Sequence, residues 1–336
     1  MFQQDLLTWY QHNKRELPFR KNRNAYQIWI SEIMAQQTRI EAMLPYFERF
    51  IEELPDMKSL AEVSDEKLNK LWQGLGYYSR ARNLKKCAQV CMEQYDGKLP
   101  PTKEQLKKLP GIGPYTAGAI ASIAYGQRVS CVDGNVIRVF SRIYDCHEDM
   151  ARSKGRKYIE KKVDESLPEA AYIHDYNQAL MELGALICIP SGPRCDRCPI
   201  RAYCKGYANQ TCDQLPVLIK KKNRRIEKKT IYIWTDGTRI RLVKRSEKGL
   251  LYQLYGFDEQ QPEHSIRRVE LTPYTHIFSH VEWHMKAFLV YTDQVDENFH
   301  TFSDIQKKYA VPSAFQPFLT EVEALIQGKE NRPNWT

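Results

Sequence analysis

The chain has 336 residues, 42% of them apolar and 27% charged, with a formal net charge of +9. That length allows two hydrophobic cores, and the balance is that of a globular protein rather than a disordered one. No run approaches the ~18 apolar residues of a membrane helix. The early Asp5 and the lack of an apolar core after Phe2 argue against a secretory leader, so a cytoplasmic protein is expected. The positive sign suits a polyanion and equally suits plain solubility.

Apolar residues recur at helical spacing over 25–52, 64–95, 104–125, 132–146 and 170–188. No βα alternation appears, which argues against a doubly wound sheet. After Pro216 the pattern changes. Segments 229–235, 239–244, 266–271 and 284–291 read as strands, with a hairpin turn at Asp236-Gly237. Helical spacing returns over 303–309 and 315–327. The expected division is a helical domain over 1–215, a basic linker over 216–228 and an α+β domain over 229–330. Lys220, Lys221, Lys222, Arg224, Arg225, Lys228 and Lys229 read first as a solvated linker and second as phosphate contacts.

Glu32 lies in the apolar stretch Trp29-Ile30-Ser31-Glu32-Ile33-Met34. A carboxyl there is either a helix-surface Glu or a desolvated acid whose raised pKa suits proton donation near neutral pH. Leu109-Pro110-Gly111-Ile112-Gly113-Pro114 separates two helical patterns. Gly111 and Gly113 make either a tight interhelical turn or a loop whose backbone N–H groups approach an anion. Asp133 precedes a helical stretch and reads as an N-cap. It also suits the ionised partner that glycosidic chemistry needs beside a protonated acid.

Nine cysteines are present, four of them in one short segment: Cys188, Cys195, Cys198 and Cys204. Clustered thiols without an export signal read as metal ligands rather than a disulfide framework. Soft thiolates take zinc or an iron–sulfur cluster. The uneven spacing and the single C-x2-C favour a [4Fe–4S] cluster. Zinc and unliganded thiols stay open on spacing alone.

Six motifs together change the weight of these readings: WISEIMAQQTR (29–39), LWQGLGYYSRARNL (71–84), LPGIGPYTAGAIASIA (109–124), VDGNVIRV (132–139), NQALMELGALIC (177–188) and the four-Cys loop. With them the chain resembles the adenine-specific, MutY-type members of the helix–hairpin–helix DNA glycosylases, over essentially residues 1–330. The resemblance implies a mainly α, two-lobed helical domain with a [4Fe–4S] loop and a C-terminal α+β, Nudix-like domain. It implies a monomeric, nucleoid-associated enzyme, if bacterial, that removes adenine opposite 8-oxoguanine or guanine in duplex DNA.

The residue roles follow from the same motifs. Glu32 matches the acid that protonates adenine N7, and Asp133 the carboxylate that stabilises the sugar cation. Asn135 matches a residue orienting that pair, and Glu182 one accepting from the adenine amino group, although Glu182 also suits a helix-surface position. Tyr115 stands where relatives that also cut the backbone carry Lys. A phenol forms no Schiff base, so a monofunctional enzyme is implied. Gln37 and Tyr77 match residues inserted into the DNA stack, although Tyr77 also suits a packed core position. Arg15, Leu17 and Arg20 match the lining of the adenine pocket, with Phe19 where the family tends to carry Trp. Phe278, Ser279 and His280 match the loop that recognises 8-oxoguanine. No acidic pyrophosphohydrolase box is found, and Asp258 and Glu259 do not supply one. The rivals are a thymine or pyrimidine glycosylase of the same superfamily and a catalytically silent mismatch binder.

Overall fold

Helices begin where the sequence offers a capping side chain ahead of an apolar stripe. In this computed structural model, which describes residues 2–219, 224–247, 249–261 and 266–328, Asn24, Ser64, Thr102 and Asp133 each accept a hydrogen bond from the backbone N–H three residues on. The helices are α1 (Gln3–Asn13), α2 (Ala25–Ala35), α3 (Ile40–Glu53), α4 (Met57–Glu62), α5 (Asp65–Leu71) and α6 (Ser79–Gln94). After them come α7 (Lys103–Leu106), α8 (Pro114–Ala119), α9 (Gly134–Ile143), α10 (Ser153–Glu165), α11 (Ile173–Leu186) and α12 (Lys205–Ala208).

The long helical stretches read from spacing are broken at defined points. Gln37 interrupts 25–52 with φ 61°, and Gly74, Gly76 and Tyr77 interrupt 64–95 with φ 102°, 68° and 47°. Left-handed backbone ends a helix whatever the apolar spacing around it. Gly111, with φ 75°, breaks 104–125.

The chain divides into two compact units. The first comprises Met1–Glu62 and Arg82–Lys221, and it is helical. One of its cores gathers Leu6 and Tyr10 of α1, Ile159 and Val163 of α10, and Ile173, Tyr176, Leu180 and Leu183 of α11. Val136, Val139, Phe140 and Ile143 join it from one face of α9. Each such side chain contributes roughly 1.5–3 kcal/mol on burial. The other lobe packs α2 against α3, α8 and the π-helical turn Ile120–Ala124 that continues α8. A β-carbon on Gly118 would meet the Ser130 carbonyl at 2.3 Å, so only glycine lets α8 lie this close to the chain entering α9.

The second unit comprises Val63–Ala81 and Lys222–Thr336. Its strands are β1 (Arg225–Thr235), β2 (Ile240–Arg241), β3 (Val243–Lys244), β4 (Tyr255–Gly256), β5 (Arg267–Glu270), β6 (Tyr274–Ile277), β7 (Val281–Tyr291) and β8 (Phe299–His300). The main sheet runs β5-β7-β1-β2-β8, with β6 also pairing β7. β1 and β7 lie parallel from Arg225 opposite Val281 to Thr235 opposite Tyr291. The expected turn at Asp236-Gly237 joins β1 to β2. Helices α13 (Phe302–Lys308) and α14 (Gln316–Gln327) bury Phe302, Ile305, Phe318 and Val322 against Ile231, Trp283, Met285 and Leu289 of the sheet.

Two boundaries differ from those read in the sequence. β1 starts at Arg225, inside the expected linker, and pairs its whole length with β7. Of the linker's basic run, residues 220–223 lie outside the described residues. Segment 63–81, expected within the helical domain, packs with the second unit. Lys70 Nζ donates to the Tyr309 carbonyl at 3.1 Å, Gln73 Nε2 to the Val311 carbonyl at 2.9 Å, and Lys244 pairs with Glu66 at 2.8 Å. Helical spacing cannot disclose polar pairings made nearly 240 residues away.

Candidate active site

Three segments of the first unit converge on Glu32. α2 carries it on a turn whose other faces are filled by buried Trp29, Ile30, Ile33 and Met34. α8 brings Tyr115, whose hydroxyl donates to Glu32 Oε2 and lies 3.5 Å from Met181 Sδ. The start of α9 brings Asp133. Burial pushes the Glu32 carboxyl up to about 7 against an ordinary 4.5, although the Tyr115 hydroxyl pulls it down. The Asp133 charge pushes it up again, and Arg20 opposes that. Burial also holds the Tyr115 hydroxyl well above its usual value, so it stays a phenol.

Asp133 is held differently. Its Oδ1 accepts from the Val136 N–H at 2.7 Å and its Oδ2 from Asn135 Nδ2 at 2.8 Å. Burial raises its pKa, and these donors, together with Arg138, pull the other way. Asn135 is itself oriented. Arg138 donates to its Oδ1 at 2.7 Å, leaving the amide N–H₂ to face Asp133. The same guanidinium reaches the Gly184 carbonyl at 2.8 Å and the Cys188 carbonyl at 2.7 Å. A β-carbon on Gly184 would stand 2.5 Å from Asn135 Cβ, so glycine is what lets α11 approach the start of α9. The sequence reading missed Arg138 and Gly184. The only signal was a basic residue one helical turn beyond Asn135.

Glu182 departs from its expected role. It is fully buried, and its oxygens accept four hydrogen bonds. Oε1 takes the Arg15 N–H and Nε, both at 2.9 Å. Oε2 takes Arg15 Nη2 at 3.0 Å and Arg20 Nη2 at 2.8 Å. A carboxylate has about four acceptor sites, so none is left for a purine amino group. Burial alone would raise its pKa, but the two arginines outweigh it and bring the value down to about 2. Glu182 is neither a surface helix residue nor a free acceptor; it clamps Arg15 and Arg20. Leu17 and Phe19, between those arginines, are buried, and Phe19 packs edge-on against Phe47.

Gln37 and Tyr77 are both exposed and both left-handed. Tyr77 is 45% exposed, which excludes the packed core alternative. Gly111 also needs its glycine, since a β-carbon there would meet Asn83 Cβ at 2.6 Å; the space around Gly113, the N-cap of α8, is open. In the second unit, Phe278, Ser279 and His280 form the turn between β6 and β7. The Phe278 ring lies edge-on to Trp283 at 5.0 Å and anchors the turn, leaving Ser279 and His280 exposed. Asp258 pairs with Arg241 at 2.8 Å, and Glu259 with Lys229 at 2.7 Å and Arg245 at 2.9 Å.

Cys188, Cys195, Cys198 and Cys204 line one small pocket with Arg142, Arg201 and a fifth thiol, Cys212. Burial raises the Cys195 and Cys198 thiols to about 11. Such thiols ionise only against a strong local positive charge. Arg142, near the end of α9, donates to Cys188 Sγ at 3.2 Å and to the carbonyls of Ile189, Pro190 and Cys212 at 2.8–3.0 Å. A sulfur-only donor set around one pocket, with an arginine toward the sulfurs, fits a multi-iron cluster. Among the described residues, no three His, Cys, Asp or Glu side chains gather tightly enough to hold a single metal ion.

Comparison with known proteins places the chain in a repair family. Residues 30–169 match the HhH-GPD superfamily of base excision DNA repair proteins. An adenine DNA glycosylase of Buchnera aphidicola subsp. Baizongia pistaciae is 38% identical over 77% of this chain and 74% of its own length. The chain belongs to the adenine DNA glycosylase family. Another member, from Buchnera aphidicola subsp. Acyrthosiphon pisum, is 32% identical over 89% of both chains. The mouse adenine DNA glycosylase is 41% identical over 65% of this chain, but the match spans only 44% of that protein. Among solved structures, a thermostable thymine-DNA glycosylase superposes with TM-score 0.56 at 26% identity, covering 62% of this chain and 95% of its own. Endonuclease III in a non-covalent DNA complex gives TM-score 0.53 at 23% identity, covering 62% and 94%, and shares the fold. As a family member, the chain is a DNA glycosylase with the helix–hairpin–helix fold and a strand-rich C-terminal region. Among the described residues, no helix is long and apolar enough to cross a membrane.

Proposed function

We propose that this glycosylase removes adenine mispaired with 8-oxoguanine or guanine in duplex DNA, acting as a monomer, and leaves an abasic site. The observation that carries the reading is the Glu32 carboxyl, held at about 7 between Tyr115 and Asp133. Near neutral pH a large share of Glu32 is protonated. Tyr115 donates to Oε2, which leaves Oε1 to carry the proton to an extruded base. Transfer to adenine N7 as the C1′–N9 bond lengthens turns the purine into a better leaving group. Asp133, steadied by the Val136 N–H and Asn135, carries the negative charge that stabilises the oxocarbenium-like sugar. Glu32, once deprotonated, takes the proton of the attacking water. Tyr115 forms no Schiff base, so the backbone stays intact.

The remaining residues serve positioning. Arg15 and Arg20, fixed by Glu182, and the buried Leu17 shape the base pocket. Gln37 and Tyr77 enter the stack that the flipped base vacates, which offsets part of the unstacking cost. Gly111 and Gly113 let backbone N–H groups reach a phosphate. In the Nudix-like second unit, Ser279 meets the N7–H and O8 side of 8-oxoguanine, and His280 steadies the loop. Cys188, Cys195, Cys198 and Cys204 would hold a [4Fe–4S] cluster, which fixes the basic loop bearing Arg197, Arg201 and Lys205 for phosphate contact.

The test is a single-turnover assay on duplexes carrying A:8-oxoguanine, A:G, A:C and G:T, each read with and without alkaline strand cleavage. Adenine release from the first two, visible only after alkali, is expected. Thymine release from G:T as the dominant activity, or strand cleavage without alkali, would overturn the reading.

A further inference from the structure

The cluster pocket contains one sulfur more than a [4Fe–4S] cluster requires. Cys212, 14 residues beyond Cys198 in the chain, is buried and lines the same cavity as Cys188, Cys195, Cys198 and Cys204. Its thiol lies near enough to those of Cys195 and Cys204 to influence them electrostatically. Its backbone is fixed independently of any metal. The Cys212 carbonyl accepts from Arg142 Nε at 2.8 Å, and the same guanidinium reaches Cys188 Sγ. Just ahead of it, the Thr211 N–H bonds the Gly206 carbonyl at 2.8 Å, and Asn209 Nδ2 bonds Asp145 Oδ2 at 2.8 Å.

The four expected ligands are not equally secured. Cys195 opens a short 3-10 turn whose neighbours Arg194, Asp196 and Arg197 are all exposed, as are Ser191 and Gly192 before it. Of Cys195, Cys198 and Cys204, Cys195 has the least enclosed thiol. An anchored spare thiol therefore lines the same cavity as the least enclosed of these ligands. Ordinary packing does not call for this, since an alanine or serine would fill the same small space.

We propose that Cys212 is a reserve ligand that replaces Cys195 on the cluster when the Cys195–iron bond is lost. The inference rests on the cluster assignment made above. In the exchange, Cys212 releases its proton as its sulfur bonds iron, and the Cys195 thiolate takes one up as its bond to the same iron breaks. No electron is transferred, and the cluster's oxidation state is unchanged.

The test compares full-length variants by iron and sulfide content, visible absorbance and paramagnetic resonance, with thermal unfolding as a check on folding. The parent should hold about four irons per chain. Cys195→Ala should retain most of them with altered resonance values, Cys212→Ser should retain them unaltered, and Cys195→Ala/Cys212→Ser should lose them. Cys195→Ala losing iron as fully as the double variant would overturn the reserve role. A parent without iron and sulfide would instead overturn the cluster assignment itself. Should Cys195→Ala fail to fold, the rate of iron release from the parent and from Cys212→Ser to a chelator under mild peroxide decides the matter. Several-fold faster release from Cys212→Ser at an unchanged melting temperature is expected, and equal rates would refute the proposal.

Discussion

Glu32 and Glu182 sit on helices of the same unit, and burial acts on both, yet they end in opposite charge states. Glu32 meets one phenol and the field of a second carboxylate, and is raised to about 7. Glu182 meets two guanidinium groups through four hydrogen bonds and is lowered to about 2. Desolvation opposes charge in each case, so the neighbours decide the outcome. One environment makes a proton donor and the other a fixed anion that organises cations.

The contrast can be broken most severely at Glu32. Glu32→Gln keeps the shape but removes the transferable proton, and should slow base release by about 10²–10⁴-fold while duplex binding persists. Near-parental single-turnover rates in that variant would refute the donor assignment. Next comes Glu182→Gln, which leaves Arg15 and Arg20 with a neutral partner. It should lower stability by about 3–5 kcal/mol, measured by denaturant unfolding. A loss below about 1 kcal/mol would mean that the clamp is dispensable.

The two groups also predict opposite slopes of stability with pH. Glu32 has a raised folded pKa, so the native state binds more protons than the unfolded chain between 4.5 and about 7. Its contribution is fully present below 4.5 and is lost as pH rises to about 7. Glu182 contributes above 4.5 and loses that contribution as pH falls toward about 2. Glu32→Gln should therefore match the parent near pH 4 and exceed it above pH 7 by up to about 3 kcal/mol. A constant difference across that range would contradict the raised value. The base-release rate of the parent should fall as pH rises through about 7 for the same reason.

A subtler change is Tyr115→Phe, which removes the donor that lowers Glu32. The alkaline limb of the pH–rate profile should move upward by about one unit. An unmoved limb would separate Tyr115 from the titration of Glu32. The smallest effect is expected in the second unit. Ser279→Ala should cost about 0.5–1.5 kcal/mol of the preference for 8-oxoguanine over guanine, read as a ratio of rates on the two mispairs.

Much of the pocket was legible because it is built from local patterns. Glu32 stands out as a carboxylate in an apolar run, Asp133 as a cap before an amphipathic helix, and the four cysteines by spacing. What stayed hidden depends on pairings across the chain. Glu182 meets Arg15 from 167 positions away, so its spacing on α11 says nothing about its partners. Cys212 lies outside the four-Cys spacing and joins the pocket only through the fold. Lys70 and Gln73 find their acceptors only once α13 and the loop after it supply carbonyls. In the second unit, strand existence was readable, but the long parallel pairing of β1 with β7 was not.

Gly184 carries a consequence for how this pocket tolerates change. The angle at which Asn135 presents its amide to Asp133 is set by the absence of an atom, since even one methyl on α11 would intrude to 2.5 Å. Drift at this position would thus push α11 from the start of α9 and degrade chemistry without touching any group that handles a proton.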